Sequence, residues 1–333
     1  IYELHPGSWM RHENGSYLSW AELARELAPY LKQMGYTHVE LMPVMEHPYD
    51  GSWGYQVTGY FAPTARFGTP DDFRAFVDAM HEAGIGVILD VVYNHVYDAG
   101  SFCFNNIVPG YFSRIDQEGN YSNGSGCGND TASERAMVKK YIVDSVKYWA
   151  DEYHIDGFRF DLVGLIDTET INEVVKTVKQ KHPNVIFYGE GWTMNTSVTK
   201  DGYTMATQRN STQTPGFAYF SDTIRDAIRG PMGDDSKSGY AAGTGGYSGT
   251  ITNCFMASPN WCKSPTQSIN YASCHDNLAL FDKELSLHED KLKIQTLDGA
   301  LNITNVSDIS IIPMLIREDL MIPEIKASNL MTF

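Results

Sequence analysis

The fold is indicated most clearly by one stretch of the sequence, Gly84-Ile85-Gly86-Val87-Ile88-Leu89-Asp90-Val91-Val92. The glycines at its start end a predicted amphipathic helix, which begins after the N-cap residue Thr69 and runs through Ala83. The almost continuous apolar run over residues 87–92 then predicts a strand that is buried on both faces. A helix that leads directly into a buried strand is typical of parallel βαβ construction.

The same alternation extends from this stretch in both directions. Upstream, an amphipathic helix is predicted from Trp20 to Met34, with Ser19 as its N-cap and Gly35 as its end. Downstream, helices are predicted over residues 133–152, 168–181 and 290–301. Strands are predicted to begin near residues 1, 37, 86, 157, 185, 217, 269 and 309. We therefore predict an α/β fold, a (β/α)₈ TIM barrel, and the alternative is a doubly wound sheet, which has the same local alternation.

Residues 96–132 interrupt this alternation with turn-rich sequence that has no helical period. A structureless segment of that length inside a compact domain is usually functional. We expect it to form a long loop or small subdomain after the third strand. The remainder of residues 1–333 is expected to form a single barrel domain. Its eighth unit is expected to have a strand over Ile309–Leu315 and an incomplete last helix.

Composition excludes several classes of protein. The 333 residues carry a net charge of −16, which disfavours binding to nucleic acid because phosphate backbones are repelled. No apolar run reaches the length of about 18 residues that a spanning helix needs. The five cysteines form no C-x-x-C pair, so they indicate neither a disulfide framework nor a zinc cluster, and they favour a reducing, cytoplasmic compartment. Aromatic residues make up 12 %, and their flat faces suit either a large core or sugar ligands.

Polar residues are concentrated where the predicted strands end, which is where barrel enzymes build their active sites. These residues are Asp90, Asn94, His95, Arg159, Asp161, Glu190, Trp192, His275, Asp276 and Asn277. Taken singly, Asp161 or Asp276 could be a helix cap, and His95 could be a packed core histidine. Arg159, between two phenylalanines on a strand, needs a carboxylate partner, which Asp90 or Asp161 could provide. We interpret the glycines on either side of Glu190 as making room for a ligand.

Convergent carboxylates favour two kinds of chemistry. The sequence contains no dinucleotide-binding, Walker A or G-x-S-x-G motif. Asp, Glu and His are also ligands of hard metal ions, so a metal-dependent hydrolase remains possible. Glycoside hydrolysis needs one carboxylic acid, one carboxylate and aromatic platforms, and the sequence offers all three.

Four short segments resemble the signature regions of the α-amylase superfamily, glycoside hydrolase family 13. They are Asp90-Val91-Val92-Tyr93-Asn94-His95, Gly157-Phe158-Arg159-Phe160-Asp161, Gly189-Glu190-Gly191-Trp192 and Ser273-Cys274-His275-Asp276-Asn277. The resemblance implies that Asp161 is the nucleophile, that Glu190 is the general acid/base and that Asp276 stabilises the transition state. The residues that it implies for substrate binding are Tyr55, Asp90, Asn94, His95, Arg159, Trp192, His275 and Asn277.

Two parts of the chain resemble different subfamilies. Residues 1–90, with Met42-Pro43-Val44-Met45-Glu46-His47-Pro48, resemble glycogen branching enzymes, whereas residues 91–283 resemble type I pullulanases. Because the catalytic regions lie mostly in the second part, the expected activity is hydrolysis of α-1,6 linkages in branched α-glucans. The alternatives are a branching glucanotransferase and a glucan-binding barrel with impaired catalysis. The accessory N-terminal and C-terminal β-sandwich domains of such enzymes are not expected in this chain.

The expected partner is a branched α-glucan or oligosaccharide, with no nucleic acid and no membrane. No cofactor is expected to be required. A structural Ca²⁺ near the Asp/Asn-rich residues 116–130 is left open, although no EF-hand spacing supports it.

Overall fold

The computed structural model describes residues 1–234, 236–258, 260–262, 264–287, 293–297 and 300–304. These residues fall into two compact units. The first unit holds residues 1–220 together with the described part of 259–269. The second unit holds the described parts of 221–258 and 270–304.

The first unit is built on a parallel sheet. In chain order its strands are β1 (Tyr2–Leu4), β2 (His38–Leu41), β3 (Met45–Glu46), β4 (Gly59–Pro63), β5 (Gly86–Val91), β6 (Gly157–Phe160), β7 (Ile186–Gly189), β8 (Ala218–Phe220) and β9 (Ser268–Ile269). Seven of them form the parallel sheet in the order β1-β2-β5-β6-β7-β8-β9, and β3 pairs with β4 in an antiparallel ribbon. Within this sheet, each strand lies beside the sheet strand that precedes it in the chain, as in a barrel. A doubly wound sheet instead reverses its strand order once. The predicted eighth strand, Ile309–Leu315, lies outside the described residues.

The helices of the first unit are α1 (Pro6–Trp9), α2 (Trp20–Met34), α3 (Pro70–Glu82), α4 (Cys103–Ile107), α5 (Ala136–Tyr153) and α6 (Thr168–Lys179). Four of them, α2, α3, α5 and α6, begin and end within three residues of their predicted bounds. Helices α1 and α4 are not predicted from the sequence, and α4 lies within residues 96–132, where the sequence shows no helical period. At the start of α2, the Ser19 side chain accepts a hydrogen bond from the Glu22 amide, and the Glu22 carboxylate accepts one from the Ser19 amide. Gly35 ends the helix in the left-handed conformation, at φ 76°. None of the described helices combines the length and the apolar character that crossing a lipid bilayer requires.

The two faces of the parallel sheet differ in chemistry, because side chains alternate along each strand. One face packs against the helices as part of the hydrophobic core, and its residues include Val39, Leu41, Leu89, Val91, Phe158, Phe160 and Phe187. The residues between them in sequence therefore lie on the other face. Those include Glu40, Asp90, Arg159 and Tyr188, all of them buried. The alternation places buried charge on the face that the helices do not cover.

The segment between β5 and α5, which belongs to the first unit, is held in place by a buried arginine. Arg114 is 1 % exposed and pairs with Glu134 at 3.0 Å. Its guanidinium also donates to the Leu165 carbonyl at 2.8 Å and to the Thr196 hydroxyl at 3.1 Å. These contacts fix the segment against the turns that follow β6 and β7. Whether residues 96–132 form an inserted subdomain stays a prediction.

The second unit contains the helices α7 (Asp222–Arg229), α8 (Ser248–Met256) and α9 (Leu280–Leu287) and the strands β10 (Lys293–Leu297) and β11 (Ala300–Thr304). The two strands pair in antiparallel register, with Leu297 opposite Ala300. The helix predicted over residues 290–301 is therefore wrong. The intervening dipeptide Asp298-Gly299 is, as a sequence, typical of a two-residue hairpin connection, and this signal outweighs the apolar spacing that suggested a helix.

The seventh strand of the sheet is also shorter than predicted. The sequence predicts a strand over Ile269–Ser273, but β9 ends at Ile269. Residues 270–279 are neither helix nor strand. Asp276 therefore does not directly follow a strand, unlike Asp161 and Glu190, which come immediately after β6 and β7.

Candidate active site

The buried side chain of Arg159, on β6, is the centre of the candidate site. Its Nη1 lies 3.0 Å from Asp90 Oδ1 and 3.0 Å from Asp161 Oδ1, and its Nη2 lies 3.0 Å from Glu190 Oε1. The side chain is 2 % exposed. The sequence-based expectation that Asp90 or Asp161 partners Arg159 is confirmed, since both do. Three carboxylates from neighbouring strand ends thus converge on one guanidinium.

Asp161 is held from a second side by Asn94. The Asn94 amide nitrogen donates to Asp161 Oδ2 at 2.7 Å and to the Asp161 carbonyl at 2.9 Å. The Oδ1 atom of Asn94 lies 2.7 Å from Nδ1 of His95, and the Tyr60 hydroxyl donates to the His95 carbonyl at 3.1 Å. Burial lowers the pKa of His95, an effect that the negative charge of Asp161 partly opposes. The imidazole is therefore neutral at pH 7, and it can donate one hydrogen bond and accept another.

Glu190 is oriented by the backbone as well as by Arg159. The amide of Leu162 donates to Glu190 Oε2 at 3.1 Å. Leu162 has a φ of 39°, in the left-handed region that side-chain-bearing residues seldom occupy. This strained conformation directly follows Asp161, and it directs a backbone donor at the neighbouring carboxylate. The dipeptide Asp161-Leu162 therefore carries one carboxylate, that of Asp161, and donates a hydrogen bond to the other, that of Glu190.

The glycines around Glu190 do not make room for a ligand, and that interpretation of the sequence is wrong. A Cβ added at Gly189 would lie 2.4 Å from the Phe160 carbonyl oxygen. One added at Gly191 would lie 2.4 Å from the Tyr219 ring. The space beside both glycines is occupied by neighbouring strands, so they are needed for close packing of the turn that carries Glu190.

Asp90 is the most deeply buried of the three carboxylates. Its Oδ2 accepts a hydrogen bond from the Tyr55 hydroxyl at 2.7 Å. Burial raises the pKa of Asp90 well above its usual value, although the positive charge of Arg159 opposes this. For Arg159 itself, burial lowers the pKa, but the surrounding carboxylates outweigh that effect and raise it. The hydroxyl of Tyr55 is thus engaged by Asp90.

Sequence reasoning missed two buried residues that complete this cluster. Glu40, on β2, has its Oε1 3.9 Å from Arg159 Nε. Tyr188, on β7, donates its hydroxyl to Glu40 Oε2. The available signal was an acidic residue at the centre of the otherwise apolar strand Val39-Glu40-Leu41, which is rarely buried without a partner.

Four further predicted residues follow β7 or belong to the second unit. Trp192 is partly buried in the turn after Glu190. His275, Asp276 and Asn277 belong to the second unit, where His275 Nε2 lies 3.5 Å from Asp276 Oδ1. Asn277 has a left-handed backbone, with a φ of 64°. The roles assigned to Trp192 and to these three residues stay predictions.

The described residues contain no cluster of three or more His, Cys, Asp and Glu side chains that could hold a metal ion. In the segment 116–130, the carboxylate of Asp116 accepts hydrogen bonds from the amides of Glu118 and Asn120. The carboxylate of Asp130 accepts them from the amides of Gly124 and Ser125. Both carboxylates are thus engaged by their own loop.

A known protein family matches most of this chain. The family described as the alpha amylase catalytic domain matches residues 6–107 and 128–245. The chain belongs to the α-amylase family. The matched residues include Arg159, Asp161 and Glu190. A seven-stranded parallel sheet in barrel order is thus part of the TIM barrel of this family.

Relatives of this α-amylase-family chain include two groups of enzymes. It is 37 % identical over 318 residues to the pullulanase of Bacillus subtilis (strain 168), a match that covers 85 % of this chain and 44 % of that protein. It is 48 % identical over 165 residues to the 1,4-alpha-glucan branching enzyme GlgB of Thiobacillus denitrificans, covering 49 % of this chain and 22 % of that protein. The chain therefore spans less than half the length of these relatives.

Solved structures similar to this chain include pullulanases. One is the pullulanase of Anoxybacillus sp. LM18-11 complexed with maltotetraose, at 38 % identity and a TM-score of 0.80, covering 87 % of this chain and 46 % of that chain. Another is the pullulanase of Paenibacillus barengoltzii in complex with maltohexaose and alpha-cyclodextrin, at 33 % identity and a TM-score of 0.77, covering 87 % of this chain and 50 % of that chain.

Proposed function

We propose that this α-amylase-family chain is the catalytic domain of a retaining debranching hydrolase. Its reaction is cleavage of α-1,6-glucosidic linkages in pullulan, glycogen or starch. The observation that supports the proposal is the pairing of one buried arginine, Arg159, with both Asp161 and Glu190. The 38 % identity to a pullulanase solved with maltotetraose, over 87 % of this chain, favours the debranching linkage.

In the first step, Asp161 attacks the anomeric carbon while Glu190 protonates the glycosidic oxygen. The carbon–oxygen bond to the leaving chain breaks as the bond to Asp161 forms, giving a covalent glycosyl ester. This mechanism needs carboxyl groups about 5–5.5 Å apart, and we expect such a separation here because Asp161 and Glu190 pair with the same guanidinium. The ion pair with Arg159 and the hydrogen bond from Asn94 fix the orientation of the Asp161 carboxylate.

In the second step, Glu190 removes a proton from water, and the resulting hydroxyl group attacks the glycosyl ester. The ester bond breaks, Asp161 regains its negative charge and the sugar is released with retained configuration. The negative charge moves from Asp161 to Glu190 in the first step and returns in the second. Because Arg159 holds one carboxylate at Nη1 and the other at Nη2, it stays paired throughout.

The other candidate residues are assigned to the substrate. Tyr55 is assigned to stacking against the sugar at the cleavage point and His95 to binding of that sugar, as the resemblance to the family implies. Asp276 is assigned to stabilisation of the oxocarbenium-like transition state. His275, Asn277 and Trp192 are assigned to sugar binding, as the resemblance to the family implies.

The second candidate function is transfer rather than hydrolysis. The 48 % identity to a branching enzyme over 165 residues favours it. The first step is the same in both reactions, but a sugar hydroxyl replaces water in the second. A branching enzyme therefore changes the linkage pattern of a glucan and creates almost no new reducing ends.

The experiment that tests the proposal incubates the purified chain with amylopectin and follows reducing ends and iodine colour together. A debranching hydrolase is expected to increase both the reducing ends and the blue colour, because longer linear chains are released. Loss of blue colour at constant reducing ends would establish the transferase instead. The Glu190→Gln variant serves as the blank for contaminating activity.

A further inference from the structure

Arg159 also lies near Glu40, a buried carboxylate that has no part in the proposed reaction. The Glu40 side chain is 5 % exposed, and its Oε1 lies 3.9 Å from Arg159 Nε. Its other oxygen accepts the hydroxyl hydrogen of Tyr188. A hydroxyl donor and a guanidinium both stabilise a carboxylate relative to a carboxylic acid. Glu40 therefore contributes negative charge to the base of the site.

The Nε side of Arg159 differs from the Nη side. Both Nη atoms lie 3.0 Å from carboxylate oxygens, whereas Nε has no hydrogen-bond partner among the described residues. A buried donor without a hydrogen bond is costly, and a nearby opposite charge offsets part of that cost. At 3.9 Å, Glu40 acts on this side through its charge rather than through a hydrogen bond.

We propose that Glu40 is a positioning residue, braced by Tyr188, which holds Arg159 from its Nε side and limits how strongly Arg159 stabilises the negative charge of Glu190. This inference rests on the proposed function, because it assigns Glu40 to the acid/base step of that reaction. The charge of Glu40 lies beside Arg159, so Glu40 acts through Arg159.

Several negatively charged groups share the positive charge of Arg159. Four carboxylates surround Arg159, namely Glu40, Asp90, Asp161 and Glu190. A general acid has to carry a proton before the first step, but a guanidinium at 3.0 Å favours the ionised form of Glu190. The negative charge of Glu40 opposes that influence, because it repels a second negative charge and shares the positive charge of Arg159.

The groups that face Glu40 come from several strands. They are Arg159 on β6, Tyr188 on β7 and Asp90 on β5, together with Glu3, whose backbone pairs with that of Glu40 on β1. Burial raises the pKa of Asp90 well above its usual value, and the charge of Glu40 contributes to the same shift.

The test measures the ionisation of Glu190 directly, without turnover. Glutamate is labelled with ¹³C at the carboxyl carbon, and the Glu190 signal is assigned by its loss in Glu190→Gln. In Glu40→Gln we expect the titration midpoint of Glu190 to move to lower pH by about 0.5–1 unit, because one opposing charge is removed. On a glucan substrate, the alkaline limb of the kcat/KM profile is expected to move in the same direction, with KM unchanged.

Three variants separate this role from a structural one. Glu134→Gln is the matched control. The Glu134 side chain is also buried and pairs with an arginine at 3.0 Å, but that arginine is Arg114. This variant is expected to leave the Glu190 midpoint in place. Tyr188→Phe removes the hydroxyl that braces Glu40 and is expected to move the midpoint in the same direction but less than Glu40→Gln does, because the charge of Glu40 remains. Glu40→Asp withdraws the charge by one methylene group and is expected to produce a smaller shift in the same direction, which provides a test if Glu40→Gln does not fold.

An unchanged Glu190 midpoint in whichever Glu40 variants fold would overturn the proposal. So would an equal shift in Glu134→Gln, because that would be a general consequence of removing a buried charge. Failure of the proposed function is distinguishable from both outcomes. It would appear as absence of glucan turnover by the wild-type chain while the Glu40-dependent shift persists.

Discussion

At the scale of single residues, the proposed catalysis depends on how Arg159 divides its hydrogen-bonding groups between two carboxylates. Asp161 lies at Nη1 and Glu190 at Nη2. The two carboxylates are assigned different tasks, nucleophile and general acid/base, and the difference can be measured with substrates that differ in their leaving group. A glycosyl fluoride needs little protonation of its leaving group, whereas a glucan does.

Glu190→Gln is expected to lower glucan hydrolysis by about 10²–10⁴-fold, because the group that protonates the leaving oxygen is lost. The same variant is expected to keep forming the glycosyl ester from α-maltotriosyl fluoride, because fluoride leaves without protonation by Glu190. Asp161→Asn is expected to lose both reactions, since the nucleophile itself is removed. The steady-state rate on pullulan and the burst of fluoride released in the first turnover provide the measurement.

The control for both substitutions is Glu173→Gln, on the partly exposed surface of α6. It is expected to retain wild-type rates on both substrates. Fluoride turnover by Asp161→Asn at the wild-type rate would remove Asp161 from the role of nucleophile.

Much of this residue-level geometry could be predicted, and the exceptions have physical causes. Asp161 and Glu190 could be found because both follow short strands whose carboxyl ends meet at one edge of the sheet. Glu40 could not be found that way, since it lies within a strand and not at its end. Which carboxylates share a cation depends on side-chain packing across three strands, and sequence spacing alone does not determine it.

At the scale of secondary-structure elements, the turns after β6 and β7 are packed against each other. The Gly164 amide donates to the Glu190 carbonyl at 3.1 Å. A Cβ at position 164 would lie 2.0 Å from the carbonyl oxygen of Trp192. The turn that carries Glu190 therefore has no freedom to move away from the turn that carries Asp161 unless this contact opens.

Gly164→Ala is expected to lower the free energy of unfolding by about 1–3 kcal/mol or more, because backbone atoms must shift to admit the methyl group. Glucan hydrolysis is expected to fall as well, since the displaced turn carries Glu190. Urea unfolding and pullulan hydrolysis provide the measurements.

The matched substitution is Gly249→Ala, on the exposed surface of α8, where a Cβ would meet nothing within 4 Å. It is expected to be neutral or to stabilise the protein by about 0.5–1 kcal/mol. Wild-type stability and activity in Gly164→Ala would contradict the close packing of the two turns.

Elements were predictable from sequence where local signals agree. In α2, the cap Ser19, the apolar spacing and the terminal Gly35 all indicate the same helix, and its bounds are Trp20–Met34 as predicted. Over residues 293–304 the signals conflict, because apolar spacing suggests a helix while Asp298-Gly299 suggests a hairpin, and the strands prevail. The length of β9 was overestimated, since two-residue strands leave almost no periodicity to detect.

At the scale of the whole molecule, buried histidines make stability depend on pH. Burial lowers the pKa of His5 to about 4, and it also lowers the pKa values of His38, His47 and His95. In the unfolded chain these side chains take up protons below about pH 6.5. The unfolded state therefore binds more protons than the folded state between about pH 6.5 and 4, so stability is lost as the pH falls through this range.

We expect the urea midpoint of unfolding to fall as the pH is lowered from 7 to 5, and His5→Asn to remove part of that fall. The control is His154→Asn, at an exposed position, which is expected to keep the wild-type dependence on pH. The same slope in His5→Asn as in the wild type would contradict the contribution of His5.

The central claim is that Asp161 and Glu190 together cleave α-1,6 linkages with retention, and ¹H NMR spectroscopy of pullulan hydrolysis by this chain tests it most directly. The α-1,6 anomeric signal is predicted to disappear while the α-1,4 signal persists. The first reducing ends are predicted to be α-anomers of maltotriose, and Glu190→Gln is predicted to leave the spectrum unchanged. Loss of the α-1,4 signal, or β-anomers as the first product, would contradict the account.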